Sequence, residues 1–179
     1  MTLNDIVTIP FSEKDVAYVK HMARLRNGGP GNDGKPDKSS AFKVRNQTSE
    51  ENHVLGLFAE VAVSRYLDAP FDESIYFGGD GGKPDIVLKN LKIEVRATKF
   101  YPPILKFNDL VTSQANVYIL CRVGPLDSLR SFVEIWGCVS KKRFLKEHTQ
   151  QDFGYGSRFV MQAEQLSPMT AMKEYLEVS

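Results

Sequence analysis

The sequence predicts a single α/β domain, a central mixed β-sheet flanked by helices, and three observations carry that expectation. Residues 53–67, HVLGLFAEVAVSRYL, are apolar almost all round, the mark of a buried helix. Two continuous apolar runs, VYILCRV (117–123) and FVEIWGCV (132–139), have the length and content of central strands. Between that helix and these runs, IVL (86–88) and LKIEV (91–95) flank Lys89–Asn90 like the two arms of a hairpin. A chain of 179 residues is most simply one domain, with its core expected between about 53 and 140.

The elements follow in order. Ser12 with Asp15 makes a capping-box-like start, with Asp in place of the usual Glu or Gln. The helix it opens runs to about Arg26, with Val16, Val19, Met22 and Ala23 on one side and Lys20 and Arg24 as surface neighbours. Asn27 to Ser40, NGGPGNDGKPDKSS, reads as a mobile loop because that composition buries too little apolar surface to order itself. Glu60 falls in the middle of the 53–67 helix, where a buried carboxylate is costly unless paired or bound to metal. Arg65 is the nearest strong cation in sequence, but five residues on it lies off the same face. Phe71 to Phe77 reads as a first strand, and Gly78 to Gly82 as a flexible turn that carries Asp80. After the hairpin, Pro102–Pro103 ends the strand and Lys106 to Gln114 forms a connection. Ser140 caps a basic helix, KKRFLKEH, and Phe159 to Gln162 adds an edge strand. Ser167–Pro168 opens a last helix with Met169, Met172, Tyr175 and Leu176 as its buried stripe.

The chemistry gathers in Lys83 to Phe100, KPDIVLKNLKIEVRATKF. Side chains alternate across a strand, so Glu94, Arg96 and Thr98 share one face while Val95, Ala97 and Lys99 take the other. A hairpin at Lys89–Asn90 brings Asp85 beside Glu94. Two adjacent carboxylates repel unless a cation lies between them, and oxygen donors suit a hard divalent metal. No rival constellation is visible: His21, His53 and His148 are scattered, the cysteines lack a C-x-x-C spacing, and no serine lies in a nucleophile-elbow pattern.

Pro84–Asp85, eight intervening residues, then Glu94–Val95–Arg96 resembles the signature of the PD-(D/E)XK nuclease superfamily. It departs at the last position, where arginine stands for lysine. Gly56, Glu60, Ala62 and Leu67 look like the helix that precedes the core hairpin in that superfamily. The resemblance implies a restriction-endonuclease-like fold and Mg²⁺-dependent hydrolysis of phosphodiester bonds in DNA, with Mn²⁺ able to substitute. It implies a metal held by Asp85, Glu94 and the main-chain carbonyl of Val95, and a glutamate, Glu60, that completes the acidic site directly or through water. Asp80 is a weaker candidate for that site. The family lysine orients or deprotonates the attacking water, whereas arginine stays protonated throughout the working pH range and can only position phosphate or offset charge. Arg96 therefore leaves three options open. Lys99 supplies the missing amine, which needs a bulge or twist after Ala97; a metal-bound hydroxide acts with no side-chain base; or the site is inactive and the fold is a catalytically weak binder of nucleic acid or of another protein.

Net charge is +1, so composition alone makes no case for a nucleic-acid partner, but its distribution is uneven. Between Lys14 and Arg45 lie eight cations against Asp15, Asp33 and Asp37. Lys20, Arg24, Arg26, Lys43 and Arg45 are the candidate phosphate contacts. No apolar run approaches the roughly 18 residues of a membrane span, and no basic-then-apolar leader opens the chain. Cys121 and Cys138 read as buried thiols that would pair only if their strands were neighbours, and cytoplasm is the expected compartment. A homodimer and a targeting protein partner both stay open.

Overall fold

The structure is a computed structural model and describes residues 5–28, 49–74, 83–108, 114–126, 130–154 and 156–178, leaving out the side chains of 27, 28, 49 and 50. Among the described residues, eight strands and four α-helices follow in the order β1 (Val7–Pro10), α1 (Glu13–Gly28), α2 (Ser49–Leu67), β2 (Ile86–Leu88), β3 (Leu91–Thr98), β4 (Ile104–Phe107), β5 (Val117–Val123), β6 (Phe132–Ser140), α3 (Lys141–Glu147), β7 (Thr149–Asp152), β8 (Ser157–Gln162) and α4 (Met169–Val178). The main sheet has the order β1-β6-β5-β3-β2. It is mixed: β3 and β5 run parallel, and every other neighbouring pair is antiparallel. A second sheet, β4-β8-β7, is antiparallel throughout.

Alternation along β5 divides the interior into two cores. Ile119, Cys121 and Val123 face α1, α2 and α4, packing with Val19, Phe58, Ala62 and Met169. Tyr118 and Leu120 face the other way, against Leu105 and Phe107 of β4, Phe144 of α3 and Met161 of β8. Phe107, Tyr118 and Phe144 meet tilted or edge-on, with centroids 4.4–5.6 Å apart. One bulge interrupts the β5–β6 ladder between Leu120 and Cys121, where β6 carries an extra residue.

The capping box at α1 is reciprocal: the Ser12 amide donates to Asp15 Oδ2 at 2.8 Å and the Asp15 amide donates to Ser12 Oγ at 3.2 Å. The shorter aspartate thus does the work expected of glutamate. Val19, Met22 and Ala23 are buried, with Val16 packed partly against them. The β2–β3 hairpin forms at Lys89–Asn90, with Lys89 at φ 52°. Ser140 Oγ accepts the Arg143 amide at 3.2 Å and starts α3. Cys121 and Cys138 are buried and unpaired, and burial raises both thiols, Cys138 to about 11.

Several expectations are corrected. Residues 71–74 are not strand, and the rest of that segment lies outside the described residues, as do Asp80 and all of the 27–40 loop except Asn27 and Gly28, which finish α1. Residues 104–107, partly assigned to a connection, form β4. β8 is the middle strand of the second sheet, not an edge. Tyr175 is 44% exposed and accepts a hydrogen bond from Asn90 Nδ2 at 2.9 Å, so it leaves the buried stripe of α4. Among the described residues no helix is long and apolar enough to cross a membrane.

Candidate functional site

The hairpin positions the first two carboxylates. Ile86 pairs with Ile93, so the same register, carried one residue past the start of β2, sets Asp85 opposite Glu94. β2 stops there for a local reason. The next ladder position would set residue 84 against Val95, and Pro84 has no N–H to donate. The side chain of Asp85 replaces the missing strand: its Oδ2 accepts the Val95 amide at 2.6 Å. A strand residue turns its N–H and C=O to the same edge. The Val95 carbonyl therefore faces the Asp85 side, where proline offers no donor. On the opposite edge, the Asn116 amide donates to the Lys92 carbonyl at 2.8 Å, which fixes the alternation.

Glu60 comes from α2, and its side chain leans back over Gly56 one turn earlier. It is close enough to act on Asp85. Burial first, then the negative charges of Glu60 and Glu94, hold the Asp85 carboxyl well above the usual carboxylate range, while the Val95 amide and Arg96 pull the other way. Glu60, Asp85 and Glu94 thus form one electrostatic cluster, drawn from three elements. The side chains of Glu60 and Glu94 are each 18% exposed, enough to meet a ligand from solvent.

Each glutamate has an arginine. Arg96 Nη2 lies 3.1 Å from Glu94 Oε1, and its guanidinium covers the Phe107 ring at 4.7 Å. The i, i+2 spacing on one face of β3 makes that pair. Arg26 Nη1 lies 3.2 Å from Glu60 Oε2, with Nη2 donating to the Asp72 carbonyl and the guanidinium 5.6 Å from the Phe71 ring. Arg26, a candidate phosphate contact by sequence, is the partner of Glu60 in the structure. The signal was present: residues 19, 22, 23 and 26 fall on one helical stripe, the buried one. Arg65, the cation nearest to Glu60 in sequence, instead pairs with Asp15 and lies over Phe11.

Lys99 does not join the cluster as a strand residue. β3 ends at Thr98, whose Oγ1 accepts the Phe100 amide at 3.2 Å, and Lys99 is exposed in the turn beyond. The cation that acts on Asp85 is Arg96. Of the proposed phosphate contacts, Arg24 is exposed on α1, and Lys20 donates to the Leu126 carbonyl at 2.9 Å. Lys43 and Arg45 lie outside the described residues.

No protein-family model, no curated protein and no solved structure matches the chain. The donor set is all oxygen, which suits Mg²⁺ or Mn²⁺. Among the described residues no three His, Cys, Asp or Glu side chains stand together in a metal-holding group.

Proposed function

We propose that this chain is a Mg²⁺-dependent nuclease of restriction-endonuclease-like type that hydrolyses phosphodiester bonds in DNA. The observation that carries this is the convergence of Asp85, Glu94 and the Val95 main chain at the point where Pro84 ends the β2–β3 ladder, with Glu60 acting on the same carboxyl. A carboxyl crowded by burial and by two neighbouring carboxylates is costly to ionise, and a bound cation would relieve that cost.

Asp85, Glu94 and the Val95 carbonyl would hold the ion, with Glu60 reaching it through water. When bound, the ion supplies a Lewis acid for the phosphoryl oxygens and lowers the pKa of the attacking water. Arg96 cannot take a proton. Its guanidinium, which lies over the Phe107 ring beside Glu94, would bind a phosphoryl oxygen and offset the charge that develops there. Arg26 anchors Glu60 and limits its swing. Lys99, exposed just past β3, would meet backbone phosphate and needs a movement of the turn to reach the cluster.

A second function keeps the fold and loses the cleavage: a binder of nucleic acid or protein in which the Arg96–Glu94 pair takes the place of catalysis. The observation favouring it is that pair itself, which occupies Glu94 Oε1. Incubation of supercoiled, linear and branched DNA with the protein in Mg²⁺, Mn²⁺ or chelator separates the two. Cleavage in either metal and none in chelator supports the nuclease. Absence of cleavage on all three substrates, with DNA retained in a shift assay, supports the binder.

A further inference from the structure

The turn after β3 exposes two aromatic rings in succession, Phe100 at 54% and Tyr101 at 67%. The Tyr101 ring is held in place rather than loose. It meets Trp136, which is buried, edge-on at 5.8 Å and 67°, and the Arg122 guanidinium lies 5.7 Å from its centroid. Arg122 is itself fixed by a bidentate pair with Glu134, Nε to Oε2 and Nη2 to Oε1, both 2.7 Å. Glu134 Oε2 also accepts the Trp136 indole N–H at 3.0 Å. That pair shifts both partners in the reinforcing direction: Arg122 holds Glu134 below its ordinary range, and Glu134 raises Arg122.

A rigid aromatic face left in water, beside cations, offers a stacking surface at little entropic cost. Register places it on the substrate side of the sheet. Thr98 is paired with Arg122 across β3 and β5, and Arg122 with Glu134 across β5 and β6, so all three share a face with Glu94 and Arg96. Four residues at about 3.3 Å each put Thr98 roughly 13 Å along β3 from Glu94. A nucleotide close to a phosphate at the acidic cluster can reach that distance.

We infer that Tyr101, with Phe100 and Lys99, is a base-stacking platform that selects single-stranded or locally unpaired DNA, an inference that rests on the nuclease function proposed above. Bases in a duplex are stacked on one another and expose only their edges and backbone, so a ring platform discriminates against them. An unpaired base can lie on the Tyr101 ring while Lys99 meets its phosphate.

The test is binding in EDTA, where no cleavage intervenes, followed by anisotropy of a labelled short oligothymidylate and of a duplex of equal length. Trp136 is the one tryptophan of the chain, and its emission reports occupancy of the adjacent ring. Tyr101→Ala should weaken oligothymidylate binding about tenfold or more, the scale of one lost base–aromatic stack. Tyr101→Phe should stay within about twofold of wild type, and duplex affinity should change little in either variant. Phe100→Ala gives an independent second reading, with a loss in the same direction. Equal oligothymidylate affinity in wild type and both alanine variants overturns the platform, and so does an equal loss on duplex. If that happens while metal-dependent cleavage persists, the nuclease stands without the platform. Stacking-dependent binding without cleavage would do the reverse.

Discussion

Replacing Asp85 by asparagine should make the metal-free protein more stable. The carboxyl is crowded by protein, by Glu60 and by Glu94. Asparagine keeps nearly the same volume and an oxygen to accept the Val95 amide, now at 2.6 Å, so the charge goes while the packing and the bond survive. An uncompensated buried charge costs roughly 3–5 kcal/mol, and the offsets from the Val95 amide and Arg96 leave a net gain of about 1–3 kcal/mol at neutral pH. In a chain of this length about 1 kcal/mol moves Tm by roughly 2–4 °C, so the expected rise is about 2–12 °C. The sign with pH follows from linkage. Because the folded pKa of Asp85 is raised, the wild type has its full share of stability below the ordinary carboxylate value of 3.8 and loses it as pH rises through the folded value. The advantage of the variant should be widest at pH 7–8 and shrink toward pH 4. Thermal unfolding followed by circular dichroism in EDTA, at unit steps between these limits, measures it. A lower Tm for the variant at pH 7, or a difference that does not depend on pH, would refute the reasoning.

Three further outcomes are expected. Arg96→Met should lower the rate of metal-dependent cleavage by roughly 10²–10³, the scale of one electrostatic stabiliser, whereas Lys99→Met should cost far less; the opposite order would make Lys99 the amine that acts. Asp15→Asn should cost about 1 kcal/mol at pH 7, a figure reduced for solvent screening. Because Arg65 and the Ser12 cap hold the Asp15 carboxyl down to about 2, that cost should vanish as pH falls from about 4 to about 2, which acid unfolding of the two proteins compares. Arg24→Ala should flatten the plot of log affinity against log salt by about one phosphate contact; an unchanged slope would mean that DNA docks away from α1.

The strands and helices that bury a face on their own were legible in the sequence. The 117–123 strand and the β2–β3 hairpin follow from continuous apolar runs and the α1 stripe from helical period, because each carries its own apolar pattern. β1, β4 and β7 were not legible. They have four residues each, and β7 has no buried side chain, so partners in β6 and β8 create them rather than any local pattern. Part of the site was legible in the same way: the i, i+2 spacing puts Glu94 beside Arg96, and the hairpin register puts Asp85 beside both. The bond from Asp85 to Val95 also has a sequence origin, the missing N–H of Pro84. What sequence could not supply was the pairing between distant elements. Arg26 with Glu60 and Arg122 with Glu134 join residues that only packing brings together. Tyr101 against Trp136 joins a turn to a strand in the same way.

The claim on which the rest depends is that Asp85 and Glu94 share a divalent ion. Calorimetric titration of Mn²⁺ into wild type, Asp85→Asn and Glu94→Gln, with circular dichroism to confirm that all three are folded, measures it directly. Binding in the wild type that falls at least tenfold in both variants is the predicted result. Equal Mn²⁺ affinity in all three proteins, or no binding in the wild type, would contradict it.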